Sequence, residues 1–285
     1  MVDKLKTYWN RRVVYWKRNE IILNDLHRSA NPNHVNLHWY SCGRTDGMEN
    51  FGDFLAVPIY QYMLNKFGID ENVKLMKTKH LYTVGSILFW GRQKATIWGS
   101  GLLTYPPKGT RRSSKFDLDI RAVRGPETRR ILLNEGFECP EVYGDPAILM
   151  PYIYKPKKIE KTEEYSVILH KSSGNKYDKQ IPILCRDYRD VIDQIVISKK
   201  IISTSLHGII VAEAYGIPAV MLHDDRADFN LLKYNDYYYS TGRYTYPIAK
   251  SMEEALEIEP VELPQLAMLR EGLINTFPID LWRNN

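Results

Sequence analysis

Cysteine is scarce in this chain: Cys42, Cys139 and Cys185 are the only three in 285 residues, scattered and without a CxxC pair. That excludes a disulfide framework and a cysteine-based metal knuckle, and it suits a chain kept in a reducing compartment. No apolar run approaches the about 20 residues that a bilayer-crossing helix needs. The opening Met1-Val2-Asp3-Lys4-Leu5-Lys6 lacks the apolar core of a secretion signal, so a cytoplasmic location is expected. The seven histidines form no HExxH pair, and no carboxylate pair of DxD type ends an apolar strand. Asp117-Leu118-Asp119 has the spacing, but it follows the basic loop Lys108 to Lys115 and reads as a solvated turn. No metal is expected, and no internal repeat is visible.

Excess positive charge is also confined. The net charge is +5, and residues 1–30 alone hold seven basic residues against three acidic ones, a net +4. A nucleic-acid surface would spread basic residues over a whole face, so no nucleic-acid partner is expected. The same opening segment carries Tyr8, Trp9, Tyr15 and Trp16. Residues 1–34 therefore read as a basic, aromatic helical segment. It either packs its rings on the body or makes peripheral contact with an anionic membrane on the cytoplasmic face.

From Val35 onward, short apolar runs alternate with amphipathic stretches. Strands are expected at Val35–Tyr40, Val73–Met76, Leu81–Leu88, Ala95–Trp98, Ile120–Val123, Tyr165–His170, Ile201–Ile202 and Ala219–Leu222. Helices are expected at Phe54–Phe67 (stopped by Gly68), Pro126–Asn134, Tyr188–Ser198, Leu206–Tyr215 and Leu263–Phe277. Strand–helix alternation implies parallel sheets with right-handed crossovers. The Lys-, Glu- and Pro-rich stretch Pro151–Glu164 has no periodicity and reads as a boundary. The expected architecture is α/β, with two Rossmann-like domains facing a cleft. Residues 35–155 form the first domain, on the acceptor side, and 156–260 the second, on the donor side. Residues 261–285 form a C-terminal helix able to cross back to the first domain.

In open parallel sheets, ligands bind at the carboxyl ends of the strands. Asn50-Phe51-Gly52-Asp53, Gly99-Ser100-Gly101 and Ser203 to Gly208 all fall there. The last is the most informative. An apolar strand stops at Ser203-Thr204-Ser205 and a helix opens at Leu206-His207-Gly208. His207 then lies beside the unpaired N–H groups and positive dipole end of a helix start, where an anion is held well. A helix-capping role for the serines and a packing role for the histidine compete with that reading.

These segments resemble the polysaccharide pyruvyl transferase family. The matching pieces, in the family's order, are Asn50-Phe51-Gly52-Asp53, Trp98-Gly99-Ser100-Gly101 and Val123-Arg124-Gly125-Pro126 with Thr128. Tyr143-Gly144-Asp145-Pro146 and Ser203-Thr204-Ser205-Leu206-His207-Gly208 ahead of Gly216-Ile217-Pro218 complete the set. The Asn-Phe-Gly-Asp opening is similar to exopolysaccharide ketal-forming members.

The resemblance implies a fold like the two-domain glycosyltransferases called GT-B. It also implies transfer of the pyruvyl group of phosphoenolpyruvate to two hydroxyls of a hexose, giving a cyclic ketal and phosphate. No cofactor is expected beyond that donor, and the acceptor partner is expected to be a saccharide, lipid-linked. Some members carry Arg directly before Leu-His, where this chain has Ser205. For such a donor His207 is the candidate proton donor, Arg124 a fork for phosphate or carboxylate with a surface salt bridge before a helix as its alternative, and Asp53 a base or orienting carboxylate whose position equally suits capping the helix that follows. Asn50, Gly52, Gly99, Ser100, Gly101, Ser203, Ser205, Leu206 and Gly208 would line the substrate.

His207 and Arg124 are expected to meet across the groove and hold a small dianion. Arg226 and Lys233 are candidates for the cation that Ser205 does not supply. Asp145 reads as a turn former, His170 as a structural histidine, and Tyr237-Tyr238-Tyr239 as packing or a sugar platform. A glycosyltransferase using a nucleotide-sugar, or a non-catalytic member binding a phosphorylated ligand, remain the alternatives.

Overall fold

The computed structural model describes residues 31–41, 46–89, 94–105, 116–157, 160–171, 173–174, 176–223, 230–260 and 262–284. The basic N-terminal segment, Cys42 and Arg226 lie outside them.

The first half opens with β1 (Val35–His38), the short β2 (Glu49–Asn50), α1 (Phe51–Phe54) and α2 (Ala56–Phe67). It continues with β3 (Lys79–Tyr82), β4 (Lys94–Trp98), β5 (Asp117–Ala122) and α3 (Pro126–Asn134). Gly68 ends α2 in the left-handed conformation, φ 62°, which only glycine enters without a Cβ penalty. β1, β3, β4 and β5 form an all-parallel sheet in the order β1-β3-β4-β5. After the short α4 (Met150–Ile153) come β6 (Ser166–Ile168), β7 (Leu184–Cys185), α5 (Tyr188–Val196), β8 (Ile201–Ser203) and α6 (Leu206–Ala214). Then β9 (Ala219–Leu222), α7 (Leu232–Ser240), β10 (Ile248–Ala249), α8 (Met252–Glu257) and α9 (Ala267–Asn275) follow. The second parallel sheet runs β10-β9-β8-β6. The protein is thus a mixed α/β molecule with parallel sheets.

Three expectations are corrected. Val73–Met76 is a loop in which only Leu75 is buried: its N–H donates to Asn33 O at 2.6 Å, ahead of β1, and no ladder extends from that bond among the described residues. Asp117-Leu118-Asp119 is no solvated turn but the first half of β5. Its carboxylates face outward along a strand of period two, where Asp117 takes Lys94 and Asp119 takes Thr96 and Arg121. The expected strand Leu81–Leu88 is also shorter: β3 ends at Tyr82, and Gly85, at φ 107°, turns the chain.

Backbone pairing and a shared core are among the features that join the halves. β2 pairs antiparallel with β7, Glu49 opposite Cys185 and Asn50 opposite Leu184, and Phe51 N–H donates to Ile183 O at 2.8 Å. One apolar core also runs across both, from Phe51 and Ile59 through Ile148 to Leu206, Ile209 and Ile210. The C-terminal segment returns to the first sheet: Trp98 Nε1 donates to Leu273 O at 2.9 Å, and Lys79 Nζ to Arg283 O at 3.0 Å. No helix among the described residues is long and apolar enough to cross a membrane.

Candidate functional site

The site is built where α1 of the first half meets the start of α6 in the second. β8 is buried throughout and delivers the chain to Ser203, Thr204 and Ser205. Ser203 Oγ lies 2.8 Å from Ile168 O and 2.9 Å from Ser205 O, and it accepts from Ser205 N–H at 2.9 Å, which locks the turn. Gly208 packs against this hydroxyl: a Cβ there would fall 2.5 Å from Ser203 Oγ. Ser205 occupies the cap position of α6 in extended conformation, yet its hydroxyl makes no capping bond. The first-turn N–H groups of this helix are therefore not taken by the residue best placed to take them.

His207 projects from that first turn into a tight slot. A Cβ on Gly52 would lie 2.0 Å from His207 Nδ1, so only glycine lets α1 and the imidazole approach this closely. On the ring's other side, Nε2 stands 3.5 Å from Asp145 Oδ2, with the imidazole 11% exposed and the carboxylate not at all. Among the described residues neither atom has a hydrogen-bond partner. Asp145 also does what its sequence context suggests, because Oδ1 accepts from Ala147 N–H at 3.0 Å. Its second oxygen, aimed at His207, is the part that turn chemistry does not explain. The only sequence-level hint was a carboxylate placed directly before the apolar run Pro146-Ala147-Ile148-Leu149, where burial without a partner is costly.

Asp53 sits one residue past Gly52, its carboxylate held by Asn50 Nδ2. Burial pushes the Asp53 carboxyl above the ordinary carboxylate range, against the opposing influence of His207, Asn50, Lys171 and Lys233. A pKa above the unfolded value means that this group favours the fold at pH below about 4. The contribution disappears as pH rises through the folded pKa. Asp53→Asn should therefore raise Tm relative to the natural chain by an amount that grows between about pH 4 and pH 8. Thermal melts across that range check it; an offset independent of pH would contradict the burial argument.

Arg124 takes a place other than the expected groove wall. It is fully buried, donating from Nε to Asp236 Oδ2 (3.1 Å), from Nη1 to Ser86 Oγ (2.7 Å) and from Nη2 to Leu102 O (2.9 Å). The Gly99-Ser100-Gly101 loop closes on this arginine. A Cβ at Gly101 would lie 2.5 Å from Arg124 Cζ, and Ser100 Oγ donates to Gly85 O at 2.9 Å. Close approach is what these glycines provide, toward protein groups. Gly85 in turn lies beside Asp53, its Cβ position 3.4 Å from Oδ1. The arginine thus forms the layer behind Asp53, reached through Ser86 and Gly85.

The structure therefore brings together Asn50, Gly52, Asp53 and His207. It sets Gly99, Ser100, Gly101 and Arg124 in the supporting layer, and keeps Ser203, Leu206 and Gly208 inside the β8–α6 turn. The residues that sequence reading missed are Asp145 facing His207, and Asp236 and Ser86 around Arg124. Tyr237 and Tyr238 are buried. Tyr237 donates to Glu213 Oε2 at 2.6 Å, a carboxylate also clamped by Arg243 at 2.7 Å through both oxygens. They are packing residues, and Tyr239 leans on Tyr244 at the surface, ring centroids 5.3 Å apart. No group of three or more His, Cys, Asp or Glu that could hold a metal occurs among the described residues.

The chain is 30% identical over 159 residues to uncharacterized protein L143 of Acanthamoeba polyphaga mimivirus. The match covers 51% of this chain and 54% of that protein, so the chain spans about half the length of its relative. Among solved structures, functionally uncharacterised protein KP1_0663 of Klebsiella pneumoniae superposes with a TM-score of 0.52. The superposition covers 83% of this chain and 98% of the other, at 14% identity, a likeness of fold alone. The family model for polysaccharide pyruvyl transferase matches residues 50–226, which begin at Asn50 ahead of Asp53 and include Arg124, Asp145 and His207. By that match the chain belongs to the polysaccharide pyruvyl transferase family.

Proposed function

We propose that the protein transfers the pyruvyl group of phosphoenolpyruvate to two hydroxyls of a saccharide, forming a ketal and releasing phosphate. The observation that carries this reading is His207, held at the start of α6 between Gly52 and Asp145, with neither Nε2 nor Asp145 Oδ2 hydrogen-bonded among the described residues. The reaction needs a proton delivered to the methylene carbon of the donor, which becomes a methyl group. One hydroxyl oxygen then bonds to the neighbouring carbon. The second hydroxyl bonds to the same carbon as the C–O bond to phosphate breaks. Of the two hydroxyl protons released, one replaces the proton given to the methylene and the other leaves with phosphate.

His207 is suited to deliver the proton, and the Asp145 carboxylate facing Nε2 orients the ring for it. A contact of 3.5 Å is long for a hydrogen bond. Such catalytic contacts commonly tighten when substrate binds. Asp53, with its carboxyl pushed upward by burial, is a stronger base than an exposed aspartate and is assigned the hydroxyl proton. The uncapped first turn of α6 offers N–H groups to the donor's phosphate. Arg124 acts through Ser86 and the Gly99–Gly101 loop.

The two parallel sheets are read as two Rossmann-like halves in a GT-B-like arrangement, with residues 35–155 on the acceptor side and 156–260 on the donor side. The acceptor is a lipid-linked surface polysaccharide unit met at the cytoplasmic face of a membrane.

The test is direct. Protein mixed with phosphoenolpyruvate and hexose-containing acceptors should release phosphate and give a new ketal methyl signal by proton NMR. Thermal shift should show stabilisation by phosphoenolpyruvate. Stabilisation by UDP- or GDP-sugars alone, with no phosphate release, would assign the site to nucleotide-sugar chemistry.

A further inference from the structure

Where the C-terminal segment passes from α9 into the 3₁₀ turn Ile279–Trp282, it leaves a cavity of about 670 Å³ against the end of α2 and the outer strand β5. That volume suits a small ligand or one unit of a larger one. α2 is twelve residues long, so Lys66 and Phe67 at its end lie about 18 Å beyond α1. None of Asn50, Gly52, Asp53, Asp145 and His207 lines this cavity.

Its lining combines an aromatic face with polar groups held in place. Phe67 is 39% exposed, and its ring lies parallel to that of Phe277, centroids 5.9 Å apart and planes 1° apart. Phe277 is packed in turn on Trp98 and Trp282, at 5.1 and 5.8 Å, so the outer ring has a firm backing. Arg121 is the residue passed over where β5 slips against β4, since Ile97 pairs with Ile120 and Trp98 with Ala122. Such a bulge re-aims a side chain. Arg121 Nε donates to Asp119 Oδ1 at 2.6 Å and Nη2 to Asp280 Oδ2 at 2.8 Å. Nη1 and the Asn275 amide take no partner among the described residues. Thr276 Oγ1 donates to Gly272 O at 2.7 Å, which leaves the hydroxyl oxygen able to accept.

We propose that this cavity is a second saccharide-binding site, holding one sugar ring of the polymer away from the unit that reaches His207. A hexose carries C–H groups on its faces and hydroxyls around its edge. The faces pack on an aromatic ring such as Phe67. Neighbouring hydroxyls match the guanidinium–carboxylate pair of Arg121 and Asp280 and the Asn275 amide, which set donors and acceptors side by side. A wholly apolar ligand would leave those groups unpaired, and a bare anion would meet the Asp280 carboxylate. A second point of contact raises the affinity for a chain with many units without altering the reacting one. The saccharide class follows from the lining and from membership of a polysaccharide-directed family, and no step of the donor chemistry enters it.

The test is calorimetric titration of glucose, galactose and mannose tetrasaccharides into the full chain. At least one should bind. Phe67→Ala and Asn275→Ala should each weaken that binding by about three- to tenfold, the order that one aromatic contact or one hydrogen bond contributes. Phe67→Tyr, which keeps the ring, should bind as the natural chain does, and so should His207→Asn. Phe67 and Asn275 are both exposed, so circular dichroism should show every variant folded.

Binding lost in His207→Asn but intact in Phe67→Ala would place the saccharide at His207 alone, overturning the second site and leaving the transfer reading standing. Binding through Phe67 and Asn275 by a protein that releases no phosphate from phosphoenolpyruvate would uphold the second site and remove the transfer. No binding of any tetrasaccharide, or equal binding by every variant, would overturn the proposal. Binding of UMP or GMP in preference to all three, lost in Phe67→Ala, would overturn it in favour of a nucleotide.

Discussion

His207→Asn should lower the rate of phosphate release from phosphoenolpyruvate by about 10²- to 10⁴-fold, the usual contribution of a positioned general acid or base. Tm should stay close to that of the natural chain, because asparagine is smaller than the imidazole in the slot beside Gly52 and Nε2 has no hydrogen-bond partner among the described residues. Asp145→Asn is the companion variant. Its amide oxygen can still accept from Ala147 N–H, so the turn before α4 survives. The charge facing Nε2 is lost, and kcat should fall by about 10-fold or more, toward the about 10⁴-fold seen when the carboxylate behind a catalytic histidine is replaced by an amide. Asp145 lies behind the imidazole, so KM for phosphoenolpyruvate should not change. A merely structural Asp145 would instead lower Tm and leave kcat intact. His207→Asn protein retaining more than a tenth of the natural rate would remove the imidazole from the chemistry.

How much of this was legible beforehand depends on how local each feature is. The β8–turn–α6 unit was legible because an apolar run, small polar residues and an apolar helix follow one another within fifteen residues. Each local preference agrees with the fold. The helix from Pro126 to Asn134 was equally plain, with proline in its first turn and Gly136 just past its end. β5 was misread because its outward carboxylates mimic a loop when the neighbouring strand and its Lys94 and Thr96 are not known.

The site divides along the same line. Asn50, Gly52, Asp53 and His207 stood out as motif residues, but nothing in the sequence says that β2 pairs with β7. That pairing sets α1 against α6. The role of Gly52 is also unreadable locally, because the atom it makes room for lies on another helix. Asp236 stands directly before Tyr237-Tyr238-Tyr239, and nothing local to it marks the carboxylate as buried. Its partner Arg124 is 112 residues away.

Arg124→Gln should cost about 3–5 kcal/mol of stability, the loss typical of breaking a buried ion pair by removing one member. Both side chains are wholly inaccessible, so an unpaired Asp236 has no water to turn to. Asp236 is also the hub for α3, accepting from Thr128 N–H at 2.9 Å and from its hydroxyl at 2.6 Å. Asp236→Asn should therefore destabilise by a similar amount. The double variant should lose clearly less than the two single losses combined, because the second change removes a charge already stranded by the first.

Urea unfolding of the four proteins measures this coupling. The same pair accounts for two glycines: a Cβ at Gly125 would lie 1.9 Å from Asp236 O, and one at Gly101 would lie 2.5 Å from Arg124 Cζ. Alanine at either position should push on the pair and shift stability in the same direction. If Arg124→Gln instead unfolds like the natural chain but no longer binds phosphoenolpyruvate, the guanidinium turns outward in solution and belongs to the donor. Equal stability in all four proteins would show that packing of the Gly99–Gly101 loop, rather than the ion pair, holds this layer behind Asp53.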